Sequence, residues 1–85
     1  MPDDDATKER TRLFRRWLRA IGDDLDEAQR LTGVGRRSLE RMKAGAKPPP
    51  LRLLEDLATD AAARGRADLA GELAAAATPS EGSHA

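Results

Sequence analysis

A cluster of basic side chains is the feature of this chain best suited to binding a ligand. Arg36, Arg37, Arg41 and Lys43 fall within one short segment, and Glu40 lies among them. Guanidinium groups bind phosphate oxygens and the edge of guanine through paired hydrogen bonds, and a carboxylate can accept from cytosine or hold an arginine in place. These residue types at this spacing therefore indicate a surface that meets nucleic acid.

The element that must position this cluster is the second helix of a helix-turn-helix unit. The segment 27–45 has the pattern of two short helices joined by a tight turn at 32–35. At about 100° per residue, Leu39 and Met42 share one face of the second helix and the arginines spread over the other. Such a helix is a candidate reader of the DNA major groove. A solvated surface helix is the alternative, because Arg is a good helix former and is usually exposed.

Length and composition predict one small all-α domain. The 85 residues include few β-branched side chains and no segment that alternates with period two, and they contain no cysteine. We predict a compact bundle of four to five helices with a central helix-turn-helix and flexible termini. The acidic N-terminus does not resemble a secretory signal, and the longest apolar run, 73–77, is too short to cross a bilayer. We therefore expect a cytoplasmic protein with no membrane partner.

The charge is distributed unevenly although the formal net charge is zero. Residues 29–54 carry seven Lys/Arg against one Asp/Glu, a balance of +6, whereas residues 1–28 carry −2 and residues 55–85 carry −4. A basic block between acidic flanks favours a local surface for phosphate and argues against indiscriminate binding of nucleic acid.

The apolar spacing predicts which side chains form the core. The first helix is expected from Thr7 or Lys8 to about Ile21, with a basic stripe opposite its apolar face that is either solvated or in contact with DNA backbone. The members of this stripe are Arg12, Arg15, Arg16 and Arg19. The predicted core residues of the first, second and fourth helices are Leu13, Phe14, Trp17, Leu18 and Ile21; Leu25, Ala28 and Leu31; and Leu54, Leu57, Ala58 and Ala61.

Glycine, aspartate and proline predict the helix ends. Gly22 ends the first helix, Asp23 or Asp24 caps the second, and Gly33 and Gly45 provide left-handed C-terminal positions. The run 48–50 is expected to form a rigid corner, because consecutive prolines cannot continue a helix. The predicted boundaries are a disordered acidic tail over 1–6, a helix-turn-helix domain over 7–77 (motif 25–45, C-terminal helices 51–64 and 66–77) and a disordered tail over 78–85.

The last helix leaves two alternatives open. Leu69, Ala70, Leu73 and Ala77 share one face, which either closes the core against the first helix or pairs with a second copy of the chain. The small residues of this helix allow another helix to approach closely. We predict a homodimer, with these four residues as the candidate surface.

The sequence predicts no catalytic residue, cofactor or metal site. The single histidine, His84, is second from the end of the chain, and the sequence has no cysteine or tyrosine. A histidine in a flexible tail cannot be held in catalytic geometry. The Gly33-Val34-Gly35 segment follows no predicted strand and lacks the third glycine of a dinucleotide-binding motif.

Residues 13–63 resemble the phage Cro and repressor class of helix-turn-helix proteins, the xenobiotic response element family. The resemblance is carried by Ala28, Gly33, Val34, Leu39, Met42, Gly45, the prolines 48–50, Leu53 and Leu54. It implies a four- or five-helix domain that binds operator double-stranded DNA, commonly as a dimer, and regulates transcription. It also implies base-reading positions at Gly35, Arg36, Arg37, Glu40 and Arg41, and DNA backbone contacts at Ser38, Lys43 and Lys47.

The chain departs from this pattern at the start of the first motif helix. Leu25 and Gln29 stand where the family usually has a polar residue that contacts phosphate and a small residue. The carboxylates within residues 23–27 would repel phosphate at a helix end that normally binds it. This leaves a second hypothesis, in which residues 23–27 bind a protein partner and the chain is an interaction module such as an antirepressor, an antitoxin or a polymerase-binding adaptor.

Overall fold

Five helices make up the part of the chain that the structure, a computed structural model, describes. That part is residues 3–77, with side chains described from residue 7 onward. The helices are α1 (Asp3–Ala20), α2 (Leu25–Thr32), α3 (Arg36–Ala44), α4 (Leu51–Ala63) and α5 (Ala67–Ala77). Residues 3–77 contain no strand, so the all-α prediction is confirmed. The tail predicted over 78–85 lies outside the described residues.

Helix α1 begins earlier than its apolar pattern indicates. It starts at Asp3 rather than at the predicted Thr7 or Lys8. The sequence has no glycine or proline between residues 3 and 21 that would stop the helix, and acidic residue types are favourable in a first turn. The apolar pattern starts later because it reports only the buried part of the helix.

Helix α1 lies at the centre of the core. Leu13, Phe14, Trp17 and Leu18 are at most 1% exposed and belong to the hydrophobic core, and α1 packs against α3, α4 and α5. The predicted core is confirmed for these residues and for Ala28, Leu54, Leu57, Ala58 and Ala61. Ile21 and Leu25 pack at the edge of the core and are half-buried.

Two leucines differ from the periodicity prediction. Leu31 is 40% exposed rather than inward-facing, because α2 is short and only Ala28 on it is fully buried. Leu53 is 5% exposed and belongs to the core, although it was not among the predicted inward residues of the fourth helix. Helix α4 packs against α1, α2 and α5, and the helical spacing of α4 alone cannot show how much of its surface these neighbours cover.

Helix α5 closes the core of its own chain. It packs against α4 and α1, which leaves Leu69 and Leu73 fully buried, Ala77 buried and Ala70 half-buried. Of the two alternatives for this face, the structure shows the one in which it closes the core of its own chain, and the homodimer stays a prediction. Gly71 is exposed, and a Cβ atom placed on it would meet nothing within 4 Å.

One polar contact joins the centre of α1 to α4. The buried Trp17 indole Nε1 donates a 2.8 Å hydrogen bond to Asp60 Oδ2, and Arg64 Nε donates to the same oxygen at 2.6 Å. The carboxylate thereby satisfies an N–H group that has no access to water, and the arginine compensates its charge. Leaving a buried N–H group without an acceptor costs more free energy than a satisfied hydrogen bond contributes to stability.

We predict that Asp60→Ala lowers the free energy of unfolding by about 1–3 kcal/mol, because the Trp17 N–H group loses its acceptor. Urea unfolding followed by tryptophan fluorescence measures the change. Asp56→Ala is the matched control, since Asp56 is an exposed carboxylate on the same helix, and its effect should stay within about 0.5 kcal/mol. Equal stability of the two variants would contradict the role assigned to Asp60.

Candidate nucleic-acid interface

Local hydrogen bonds satisfy polar groups at both ends of α2, including the turn that joins it to α3. Asp24 caps α2, because its Oδ1 accepts from the backbone N–H groups of Asp26 and Glu27 at 3.0 and 3.2 Å. Thr32 Oγ1 donates to the Ala28 carbonyl at 2.7 Å and accepts from the Val34 N–H at 3.1 Å. The threonine hydroxyl thus links the last turn of α2 to the chain that leads into α3.

Two glycines in left-handed conformation end the two helices as predicted. Gly33 ends α2 at φ 75°, and Gly45 ends α3 at φ 85°. Gly35 is the N-cap of α3 and contributes no side-chain hydrogen bond. The angle between α2 and α3 therefore depends on a backbone conformation at Gly33 that other L-residues adopt only with strain.

One side of α3 is fixed by two buried apolar side chains, and its other side is exposed to solvent. Leu39 and Met42 are 0% and 1% exposed and belong to the core. Arg37, Glu40 and Arg41 are exposed on the opposite face, and Ser38 is half-buried on a flank. This is the outward basic face that the helical spacing predicts.

The basic residues of α3 fall into two groups. Arg36 Nη1 lies 2.8 Å from Asp26 Oδ1, and its Nε lies 3.4 Å from Glu40 Oε2. Lys43 Nζ lies 3.3 Å from Asp23 Oδ1. Among the side chains of residues 7–77, by contrast, those of Arg37 and Arg41 make no hydrogen bond or ion pair.

Lys47, just beyond α3, extends the unpaired group. Its side chain is exposed and has no ionic partner in the described part of the chain. Of the residues predicted to contact DNA, Arg37, Arg41 and Lys47 thus have no ionic partner among residues 7–77 that an anion would have to displace. Arg36 and Lys43 each face a carboxylate.

The four carboxylates at the start of α2 all have partners. Asp24 forms the N-cap, Asp23 and Asp26 pair with cations of α3, and Glu27 pairs with Arg30 at 2.9 Å. The hydrogen bonds from Arg30 to Glu27 raise the pKa of the arginine. The acidic charge at this helix end is therefore balanced locally, which reduces the repulsion of phosphate that the sequence implies.

The basic stripe of α1 is mostly engaged within the protein. Arg15 Nε donates to the Lys43 carbonyl at 2.8 Å and so fixes the C-terminal end of α3 against α1. Arg16 pairs with Glu72 of α5 at 2.9 Å. Arg12 pairs with Glu9, and its hydrogen bond is the main cause of the lowered pKa of Glu9. The two alternatives for the stripe, solvent or DNA backbone, did not include these contacts within the protein.

Two positioning contacts were missed in the sequence. The Arg15 contact joins residues 28 positions apart, and Arg10 Nη1 donates to the Pro49 carbonyl at 3.2 Å over 39 positions. Both hold the segment that carries α3 and the proline corner against α1. Neither contact has a local signal, because the sequence around an arginine does not show whether its side chain lies in solvent or donates to a distant carbonyl.

Comparison with models of protein families, with curated proteins and with solved structures finds no match to this chain. Of the helices within residues 3–77, none combines the length and the apolar character that crossing a membrane requires.

We predict that Gly33→Ala lowers the free energy of unfolding by about 1–2 kcal/mol, because an L-residue is strained at this positive φ. No atom lies within 4 Å of the new Cβ, so the cost comes from the backbone alone. Gly71→Ala is the matched control, because Gly71 lies inside α5 and its new Cβ also has open space; it should stabilise by roughly 0.5–1 kcal/mol. Urea denaturation of both variants is the measurement, and the same sign for both would contradict this account.

Proposed function

We propose that this protein binds double-stranded DNA in a sequence-specific manner with the outward face of α3 and acts as a small transcriptional regulator. One observation carries the proposal. Arg37 and Arg41, one helical turn apart, are exposed on the face opposite the buried Leu39 and Met42, and neither pairs with a side chain of residues 7–77. An α-helix with such a face fits the major groove, where arginine binds guanine bidentately.

Each basic residue has a distinct role in this proposal. Arg37 and Arg41 read bases, because their guanidinium groups are free and project from the face that would enter the groove. Lys47 contacts a phosphate beyond the end of α3. Glu40 holds Arg36, a role supported by their 3.4 Å separation. Because most arginines of α1 contact other groups of the protein, the proposed nucleic-acid surface consists of α3 and the loop that follows it.

Selection from a pool of random duplex DNA fragments tests the proposal directly. Enrichment of a consensus sequence is the expected result, and retention of no fragment at moderate salt would overturn DNA binding. The same experiment tests the predicted homodimer, because a palindromic consensus would reveal twofold symmetry and the spacing of half-sites. A second copy would have to use a surface other than Leu69 and Leu73, which are buried in the chain itself.

Arg37→Ala and Arg41→Ala should each weaken binding to the selected site by about 1–3 kcal/mol, because each removes a bidentate base contact. Fluorescence anisotropy with the selected duplex measures the loss. Arg66→Ala is the control, since Arg66 is exposed next to α5, outside the helix-turn-helix, and its removal changes the net charge equally. Full affinity in the double variant Arg37→Ala/Arg41→Ala would exclude these residues as base readers.

Lys47→Ala should behave differently, because a phosphate contact carries no sequence information. We expect the affinity for selected and random duplexes to fall by the same factor. The slope of log K against log salt concentration should become shallower by about one. Anisotropy titrations across a salt series give both quantities. A loss confined to the selected sequence would assign Lys47 to base reading instead.

A protein-interaction module is the second candidate function. A groove of ≈ 480 Å³ beside the turn favours it, with Val34, Pro50 and Leu53 providing apolar walls and Arg52 and Asp56 at its edge. Such a groove suits an apolar side chain from a partner protein. The DNA selection separates the two functions, because a protein adaptor would enrich no sequence.

A further inference from the structure

We propose that Asp26 is a specificity-determining residue that acts through Arg36. Together with Glu40 it holds the Arg36 guanidinium in one orientation and balances its charge. Arg36 then donates a directional hydrogen bond to a base edge without adding general attraction to phosphates. This inference deepens the proposed function and rests on it.

The geometry leaves one edge of the guanidinium available. Asp26 Oδ1 accepts from Arg36 Nη1 at 2.8 Å, and Glu40 Oε2 lies 3.4 Å from Nε. Within residues 7–77, where side chains are described, no hydrogen bond involves the remaining nitrogen, Nη2. Since the two carboxylates accept from Nε and from one N–H group of Nη1, Nη2 is the nitrogen whose N–H groups are both left to approach a DNA acceptor.

The ion pair between Asp26 and Arg36 joins the starts of two helices and contributes little to the stability of the fold. Asp26 lies in the first turn of α2 and Arg36 is the first residue of α3. The two side chains are 78% and 55% exposed, and ion pairs between such exposed groups contribute little to stability. A purely structural role therefore explains little of this arrangement.

The net charge of Asp26, Arg36 and Glu40 affects the affinity for random DNA differently from the affinity for the selected sequence. Affinity for random DNA depends on the number of phosphates that free cations neutralise, whereas a base contact depends on a hydrogen bond in the correct direction. The unit of Asp26, Arg36 and Glu40 has a net charge of −1 and so attracts no phosphate, yet it still presents N–H groups. Holding an arginine in place also reduces the side-chain entropy lost when it binds. Both effects favour the selected sequence over random sequence.

Asp26→Asn tests the inference with two probes, the duplex from the selection experiment and a random-sequence duplex of equal length. We expect affinity for the random duplex to rise severalfold, up to about tenfold at 0.1 M salt, with a salt slope steeper by about one. Affinity for the selected duplex should rise less, so the ratio of the two affinities falls. Asp68→Asn, a change at an exposed carboxylate of α5, should leave the ratio unchanged.

The variant Arg36→Ala separates positioning from simple repulsion. In that background Asp26→Asn still removes a negative charge near DNA, but there is no guanidinium left to release. We expect the added substitution to leave the affinity ratio unchanged. An equal fall of the ratio with and without Arg36 would overturn the inference.

Two further outcomes also overturn it, and they are distinguishable from each other. If Asp26→Asn raises both affinities by the same factor, Asp26 only repels phosphate, and the proposed DNA binding stands without this inference. If the unmodified protein enriches no sequence, the proposed function fails and the inference fails with it. Urea unfolding of Asp26→Asn checks that the fold is retained.

Discussion

The burial of two side chains of α3 is the constraint on which the rest of the arrangement depends. Leu39 and Met42 are enclosed by the core that α1 organises, so a helix of nine residues with no side-chain N-cap is held in a fixed rotation about its axis. A short isolated helix of this kind would not be stable in water. The orientation of the basic face is thus a consequence of core packing rather than of the basic residues themselves.

The charged residues around this helix have two different tasks. Arg15 and Lys43 form contacts that fix or balance the C-terminal end of α3, whereas Arg37, Arg41 and Lys47 remain unpaired in the described part of the chain. The large positive charge of the central segment therefore overstates the charge that a ligand would meet. A neutral chain with a few free cations suits contacts that depend on direction more than on total charge.

The features that the sequence predicts well are those set by neighbouring residues. The Asp24 cap, the left-handed Gly33 and Gly45, and the burial of Leu39 and Met42 follow from local backbone geometry and helical spacing. Contacts between distant segments are different. The pairs Arg16–Glu72 and Arg36–Asp26 depend on how helices pack, and nothing in the spacing of arginines shows which of them will find a carboxylate.

Helix α5 illustrates the same limit for apolar residues. Its periodicity identifies Leu69 and Leu73 as buried but cannot specify whether the covering surface belongs to the same chain or to a second copy. The structure provides that surface from α4 and α1. Leu31 shows the reverse, because its spacing indicates burial whereas a short helix at the edge of the core leaves it 40% exposed.

The start of α2 has a consequence for how an anion can approach. A helix N-terminus ordinarily attracts phosphate through its free N–H groups. Here the Asp24 side chain occupies the N–H groups of Asp26 and Glu27, and so an acceptor from DNA cannot use them without displacing the cap. Any attraction of an anion to this surface would then come from guanidinium and ammonium groups. Because Asp23 and Asp26 balance two of these cations, the unpaired arginines on the outward face of α3 would dominate the encounter.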